Sequence, residues 1–157
     1  VLGRILKSSI ENFVTPLLIL NKWDLLDSEQ KDNINNSIKR DLKQYRWINV
    51  VRISALNTKN INLISKYIDN IEKQLNLRIS TSELNSFFRE MWVKSPPHPF
   101  RGKRAKLKFV TQFSTKPPEF GFSLSSRIPK NYITFIENNI REKFNMKEIA
   151  FRIKINA

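Results

Sequence analysis

Apolar and polar positions along the chain change period several times, and each change marks an element. Residues 1–13 place Leu2, Ile5, Leu6, Ile10 and Phe13 at helical spacing. Pro16 breaks that pattern, and Leu17-Leu18-Ile19-Leu20 reads as a short buried strand. A helix is expected from an N-cap at Ser28, with Glu29 and Asp32 in its first turn, to about Gln44. Ile34, Ile38, Leu42 and Tyr45 form its stripe. A second strand is expected over Ile48–Ile53. Asn57 and Thr58 then offer caps to a helix striped by Ile61, Ile64, Ile68, Ile71 and Leu75. Helix, strand, helix, strand, helix is the alternation of a parallel α/β sheet.

Near residue 77 the pattern changes. Ser80 and Glu83 have the spacing of a capping box, before a helix with Leu84, Phe87, Phe88 and Met91 on one face. Ser95-Pro96-Pro97-His98-Pro99 cannot continue a helix. Residues 106–113 alternate with Leu107, Phe109 and Phe113 on one side, and residues 119–125 with Phe120, Phe122 and Leu124 inward. Pro129 suits the first turn of a helix with Ile133, Ile136, Ile140 and Phe144 inward. Ile149, Phe151, Ile153 and Ile155 then alternate with Glu148, Ala150, Arg152 and Lys154, as in a half-buried strand. This second part is expected to be a small α+β layer in the order helix, strand, strand, helix, strand. Alternation puts Phe109, Phe113, Phe120, Phe122 and Phe151 on the inner face, as core side chains and not as base-stacking rings.

Charge sharpens the picture. The 157 residues carry a formal net charge of +14, which points to a polyanionic partner. Residues 1–80 hold 13 Lys+Arg against 8 Asp+Glu; residues 81–157 hold 15 against 6, so the second part is the stronger electrostatic footprint. Its densest stretch supplies Arg101, Lys103, Arg104, Lys106 and Lys108 as candidate RNA phosphate contacts; the alternative is a solvated face. The absence of cysteine excludes disulfides, thiol catalysis and zinc–thiolate sites, and suits the cytoplasm. No apolar run approaches the roughly 18 residues of a membrane span, and no signal-peptide pattern is read. His98, the single histidine, lies among prolines and reads as a loop residue. Opening on Val1 inside a helical pattern suggests a fragment.

Candidate chemistry sits where the first strand ends. Asn21, Lys22 and Asp24 follow Leu20 directly, at the strand edge where open α/β sheets bind ligands. A carboxylate accepts two parallel N–H bonds, and guanine offers N1–H and N2–H side by side. An amide can meet O6 and N7, and a Lys stem can lie along a ring face. Asn-Lys-x-Asp is the guanine-reading pattern of the GTPase superfamily. Thirty residues later a second strand ends in Ser54-Ala55 before another helix, the spacing of the guanine-binding half of such a domain. In that superfamily the Ser-Ala segment supports the Asp and turns a backbone N–H toward guanine O6. Trp23 is expected to pack at the pocket rim.

The run NKWDLLD, then STSELNSFFREM, PPHPFRGKRAKLKFVTQFSTKPPEFGF, IPKNYITFIENNIREKF and EIAFRIKI, resembles the C-terminal part of the Der (EngA) family of bacterial ribosome-assembly GTPases. The resemblance implies that residues 1–79 are the later half of a GTP-binding domain, a partial P-loop GTPase domain with a parallel sheet, and that 80–157 are a KH-like domain. It implies GTP/GDP as ligand, read by Asn21, Lys22, Asp24, Ser54 and Ala55, with Mg²⁺ held by a part not present here. It implies the large ribosomal subunit and rRNA as partners.

The departures define what the chain lacks. Its only glycines are Gly3, Gly102 and Gly121, so there is no GxxxxGK[ST] phosphate loop, no Asp-x-x-Gly segment and no Gly-x-x-Gly RNA clamp. The expectation is therefore no catalytic residue, no metal site and no GTP hydrolysis by this chain alone. The alternative is a basic RNA- or ribosome-binding module carrying a relic GTPase half-domain.

Overall fold

The computed structural model describes residues 2–157. The chain divides into two compact units, one ending at Lys73 and one comprising Gln74–Ala157.

In the first unit, α1 (Leu2–Glu11) leads to β1 (Leu17–Leu20). A short 3₁₀ turn (Trp23–Leu25) is followed by α2 (Ser28–Asp41), β2 (Asn49–Arg52) and α3 (Asn62–Leu75). The expected alternation is present. β1 and β2 pair in parallel, Leu17 opposite Asn49 and Leu20 opposite Arg52. Leu6, Leu42 and Ile48 form the buried centre, with Ile10, Leu18, Ile38, Tyr45, Trp47 and Val50 packed around it. The stripe expected of α3 is incompletely covered, since Ile61 and Ile68 are exposed.

Two expectations about α2 are corrected. Its N-cap is Asp27, not Ser28. Asp27 Oδ1 accepts from the Gln30 amide at 2.8 Å, and Gln30 Oε1 accepts from the Asp27 amide at 3.1 Å. A carboxylate at the cap answers both the orphan amides and the helix dipole, which a hydroxyl does less well. The helix also ends at Asp41, short of Gln44.

The second unit follows the expected order: α4 (Thr81–Lys94), β3 (Leu107–Thr115), β4 (Pro118–Leu124), α5 (Lys130–Lys143), β5 (Arg152–Asn156). The sheet order is β3-β4-β5, with β3–β4 antiparallel and β4–β5 parallel. Ser80 caps α4 by accepting from the Glu83 amide at 3.1 Å. Leu84 and Phe88 of α4, Ile136 and Ile140 of α5 and Phe120 and Phe122 of β4 are wholly buried. Phe88 meets Phe122 edge-on, with ring centroids 4.9 Å apart. Gln112 reaches back from β3 to the approach to α4, accepting from the Ile79 amide at 2.8 Å and donating to the Leu77 carbonyl at 3.1 Å.

Arg141 is the buried cation of this core, 7% exposed. Its guanidinium donates to the carbonyls of Ile149 (2.7 Å) and Met146 (3.2 Å), pairs with Glu137 (2.9 Å) and lies over the Phe151 ring. These contacts answer the desolvation that burial imposes and that lowers its pKa.

β3 departs from the expected phase. Register shifts lie between Leu107 and Phe109 and between Gln112 and Ser114. Val110 and Gln112 therefore face the core, while Phe109 and Phe113 stand half exposed on the other face. An extra residue in one strand inverts which side chains point inward beyond it. The final strand is also shorter than expected. Ile149, Ala150 and Phe151 are buried ahead of β5 without alternating.

Candidate functional site

The candidate guanine site is built by the two connections that leave the parallel strands. The Leu20 carbonyl accepts from the Ile53 amide at 2.9 Å, and the Ile53 carbonyl accepts from the Trp23 amide at 3.0 Å, so the pairing carries into both loops. Lys22 takes a left-handed conformation (φ 61°), which turns the chain into the 3₁₀ segment carrying Asp24.

Asn21 joins the two loops. Its Oδ1 accepts from the Lys22 amide at 2.8 Å and from the Ala55 amide at 3.0 Å. Within the Ser-Ala segment, expected to turn a backbone N–H toward guanine O6, the Ala55 amide thus lies against Asn21. Ser54 is buried and bridges Lys59 through two backbone bonds of 3.1 and 3.0 Å, closing a tight loop with Thr58 and Asn60 at positive φ.

The Asp24 carboxylate is exposed. A hydrogen bond from the Ser54 side chain, stronger in effect than the opposing desolvation, holds its carboxyl below the usual carboxylate range; Asn57 and the Lys59 charge act in the same direction. Asn57 Nδ2 donates to Asp24 Oδ2 at 2.7 Å. Asn57 was expected to cap the following helix, but α3 begins at Asn62 and Asn57 serves Asp24 instead. It is the site residue that sequence reasoning missed, and the one sequence signal was its place two residues after the Ser-Ala pair.

Asn21, Lys22, Asp24 and Ser54 line a cavity of about 130 Å³, flanked by Leu25 and Leu56. Leu25 and Leu56 are strongly exposed and offer apolar walls to a flat ring. Trp23 lines a second, smaller cavity that shares Asp24 and Ser54 with this one, and the Arg52 guanidinium lies 5.3 Å from its ring centroid. Among the described residues, no group of three or more His, Cys, Asp or Glu converges as a metal site.

In the second unit the basic stretch is displayed by a two-residue turn. Phe100 and Lys103 exchange backbone bonds of 2.9 and 3.1 Å, with Arg101 (φ 49°) and Gly102 (φ 75°) at the corners. Positive φ at both corners matches the type I′ hairpin turn. Arg101, Lys103, Arg104, Lys106 and Lys108 are all exposed. Arg101 lines a cavity of about 470 Å³ with Arg127 and Lys130, over an apolar floor that includes Phe100, Ile128 and Ile155. Arg127 and Lys130 were not anticipated, because they lie far from Arg101 in sequence.

Residues 78–156 match the family model described as KH-domain-like of EngA bacterial GTPase enzymes, C-terminal. The chain belongs to the GTPase Der (EngA) family. It is 31% identical over 154 residues to GTPase Der of Mycobacterium ulcerans, an alignment covering 98% of this chain and 33% of that protein. It is 33% identical over 146 residues to GTPase Der of Bartonella henselae, covering 90% and 31%. GTPase Der of Mesorhizobium japonicum matches at 32%, with 90% and 30% covered. The chain spans about a third of the length of these curated relatives. The KH-like match falls on the α-β-β-α-β unit, and the alignments extend over the α/β unit as well. No helix among the described residues is long and apolar enough to cross a membrane.

Proposed function

We propose that this chain provides the guanine-recognition half of a GTP-binding domain and a basic KH-like module to a Der-family GTPase acting in assembly of the large ribosomal subunit in the cytoplasm. The observation that carries the first part is the Asp24 carboxylate. It is kept ionised by Ser54 and Asn57 at the C-terminal end of β1, beside loops tied together by Asn21 and Ala55. An ionised carboxylate with one oxygen free of Asn57 suits the paired N1–H and N2–H donors of guanine and repels the acceptor N1 of adenine. Lys22 would cover a ring face, and Leu25 and Leu56 would flank it.

Phosphate and Mg²⁺ binding would lie with a glycine-rich loop that these 157 residues do not contain. The chain alone is therefore expected to bind guanine nucleotide very weakly and not to turn it over. The basic module would supply rRNA phosphate contacts through Arg101, Lys103, Arg104, Lys106 and Lys108. A second reading, that the chain works only as a basic RNA- or ribosome-binding module, draws on the concentration of positive charge in residues 81–157.

The test is an amide chemical-shift titration with millimolar GDP, GTP and ATP. Guanine nucleotides should shift the amides of Lys22, Asp24 and Ala55, and Asp24→Ala should abolish the shifts. Equal shifts with ATP would contradict guanine recognition. Magnesium-dependent GTP turnover above buffer background would contradict the assignment of hydrolysis to residues outside this chain.

A further inference from the structure

The face of the three-stranded sheet turned away from α4 and α5 has an unusual make-up. β3 contributes Phe109 and Phe113, which are 50% and 54% exposed. Thr111 lies between them, opposite Gly121 of β4, which in turn pairs with Lys154 of β5. Phe109 lies opposite Ser123, which pairs with Asn156. This face thus presents two large rings set among small polar residues and cations, with no aliphatic side chain from the paired positions.

Gly121 explains how one ring is held. A Cβ placed there would meet the Phe113 ring edge, with Cζ only 2.7 Å away. The Phe113 ring edge therefore occupies the space over β4 that a Cβ would fill, while the residue stays 54% exposed. Only glycine leaves room for it. One paired row along, the Phe109 ring is presented beside it. Successive rows on one sheet face are about 7 Å apart, a spacing that neighbouring bases of an extended single strand can match.

Charge selects among occupants. Arg152 and Lys154 both pair with Glu119, Nη1 to Oε1 at 3.6 Å and Nζ to Oε2 at 2.6 Å, which places two cations on this face. At the β3 edge Lys108 is exposed, and its carbonyl accepts from the Arg89 guanidinium at 3.4 Å, bringing a further cation there. Protein interfaces also take up aromatic rings but are depleted in lysine, whereas Lys108 and Lys154 border these rings. Flat rings bordered by cations suit unpaired bases and their phosphates.

We propose that Phe109 and Phe113 form a stacking platform for two bases of single-stranded RNA. The platform rests on the reading of the second unit as RNA-binding, but it assigns the bases to residues of β3, outside the turn that displays Arg101 and Lys103.

The experiment measures binding of the 157-residue chain to a short labelled oligouridine and to an abasic strand with the same number of phosphates. Wild type should bind the oligouridine more tightly than the abasic strand. Phe109→Leu and Phe113→Leu should each weaken oligouridine binding by about five- to a hundredfold and leave its salt dependence unchanged. The double variant should no longer distinguish the two strands. Phe109→Leu touches no glycine and decides the matter if Phe113→Leu fails to fold. Equal wild-type affinity for both strands, or undiminished oligouridine binding by Phe109→Leu, would overturn the platform. Concentration-dependent self-association that Phe109→Leu abolishes without altering RNA affinity would assign the rings to a protein contact and overturn it likewise. If charge reversal at Arg101, Lys103 and Arg104 lowers the salt slope while the leucine variants change nothing, RNA binding stands and the platform falls. If neither strand binds at all, both fall.

Discussion

Asn21 Oδ1 accepts the backbone N–H of Ala55 at 3.0 Å across 34 positions of sequence, tying the loop after β1 to the loop after β2. The same oxygen accepts from the Lys22 amide, so one short side chain fixes both walls of the candidate guanine site. Asn21→Ala should release the Ala55 amide to fast hydrogen exchange while β1–β2 pairing persists. The stability cost should be no more than about 1 kcal/mol, because the bond is exposed to water. Retained protection of Ala55 would show that the loop holds itself.

Asp24 should titrate below about 3.9, the ordinary aspartate value, because the Ser54 hydrogen bond favours its charged form. Its folded pKa is depressed, so the stability it contributes is fully present above the unfolded pKa and is lost as pH falls through the folded one. Carboxyl NMR titration should show the value rising toward normal in Ser54→Ala, and less so in Asn57→Ala. An unchanged value in Ser54→Ala would assign the shift to another cause.

The buried guanidinium of Arg141 should prove costly to truncate. Arg141→Ala strands the Met146 and Ile149 carbonyls and leaves Glu137 without its partner. A loss of about 3 kcal/mol is expected on chemical denaturation, and Arg141→Lys should restore only part of it, since an ammonium cannot reproduce the planar fork. A loss below about 1 kcal/mol would mean that water reaches these groups.

Gly121→Ala should destabilise by about 1–3 kcal/mol through collision with the Phe113 ring. Phe113→Leu should relieve most of that, so the two substitutions should be non-additive. Additive losses would show that the ring swings aside freely.

The strand and helix alternation was legible because apolar spacing changes period cleanly at Pro16, at Ile48 and after residue 77. Phe120, Phe122 and Leu124 face inward as their alternation requires. Phe109 and Phe113 were misassigned because a bulge shifts phase without changing composition. The placement of Asn21, Lys22, Asp24, Ser54 and Ala55 at the ends of two apolar runs was legible in the sequence. Asn57 was not, because its reach to Asp24 depends on a loop whose closure uses positive φ at Thr58 and Asn60. Nor was the cluster of Arg101, Arg127 and Lys130, which the fold gathers around one cavity.

Reversing the charges of Arg101, Lys103 and Arg104 should reduce the salt slope of binding to ribosomal RNA by up to about 2, at roughly 0.7 per single-strand phosphate contact. An unchanged slope would move the phosphate contacts elsewhere, with Arg127 and Lys130 the next candidates.

The most direct measurement is the affinity of this chain for purified large-subunit precursors across a salt series, with and without GTP. The account predicts binding that weakens steeply with salt and is indifferent to GTP, because the basic module carries the contact and the guanine half lacks its phosphate loop. Binding insensitive to salt, or an affinity that GTP changes, would contradict it.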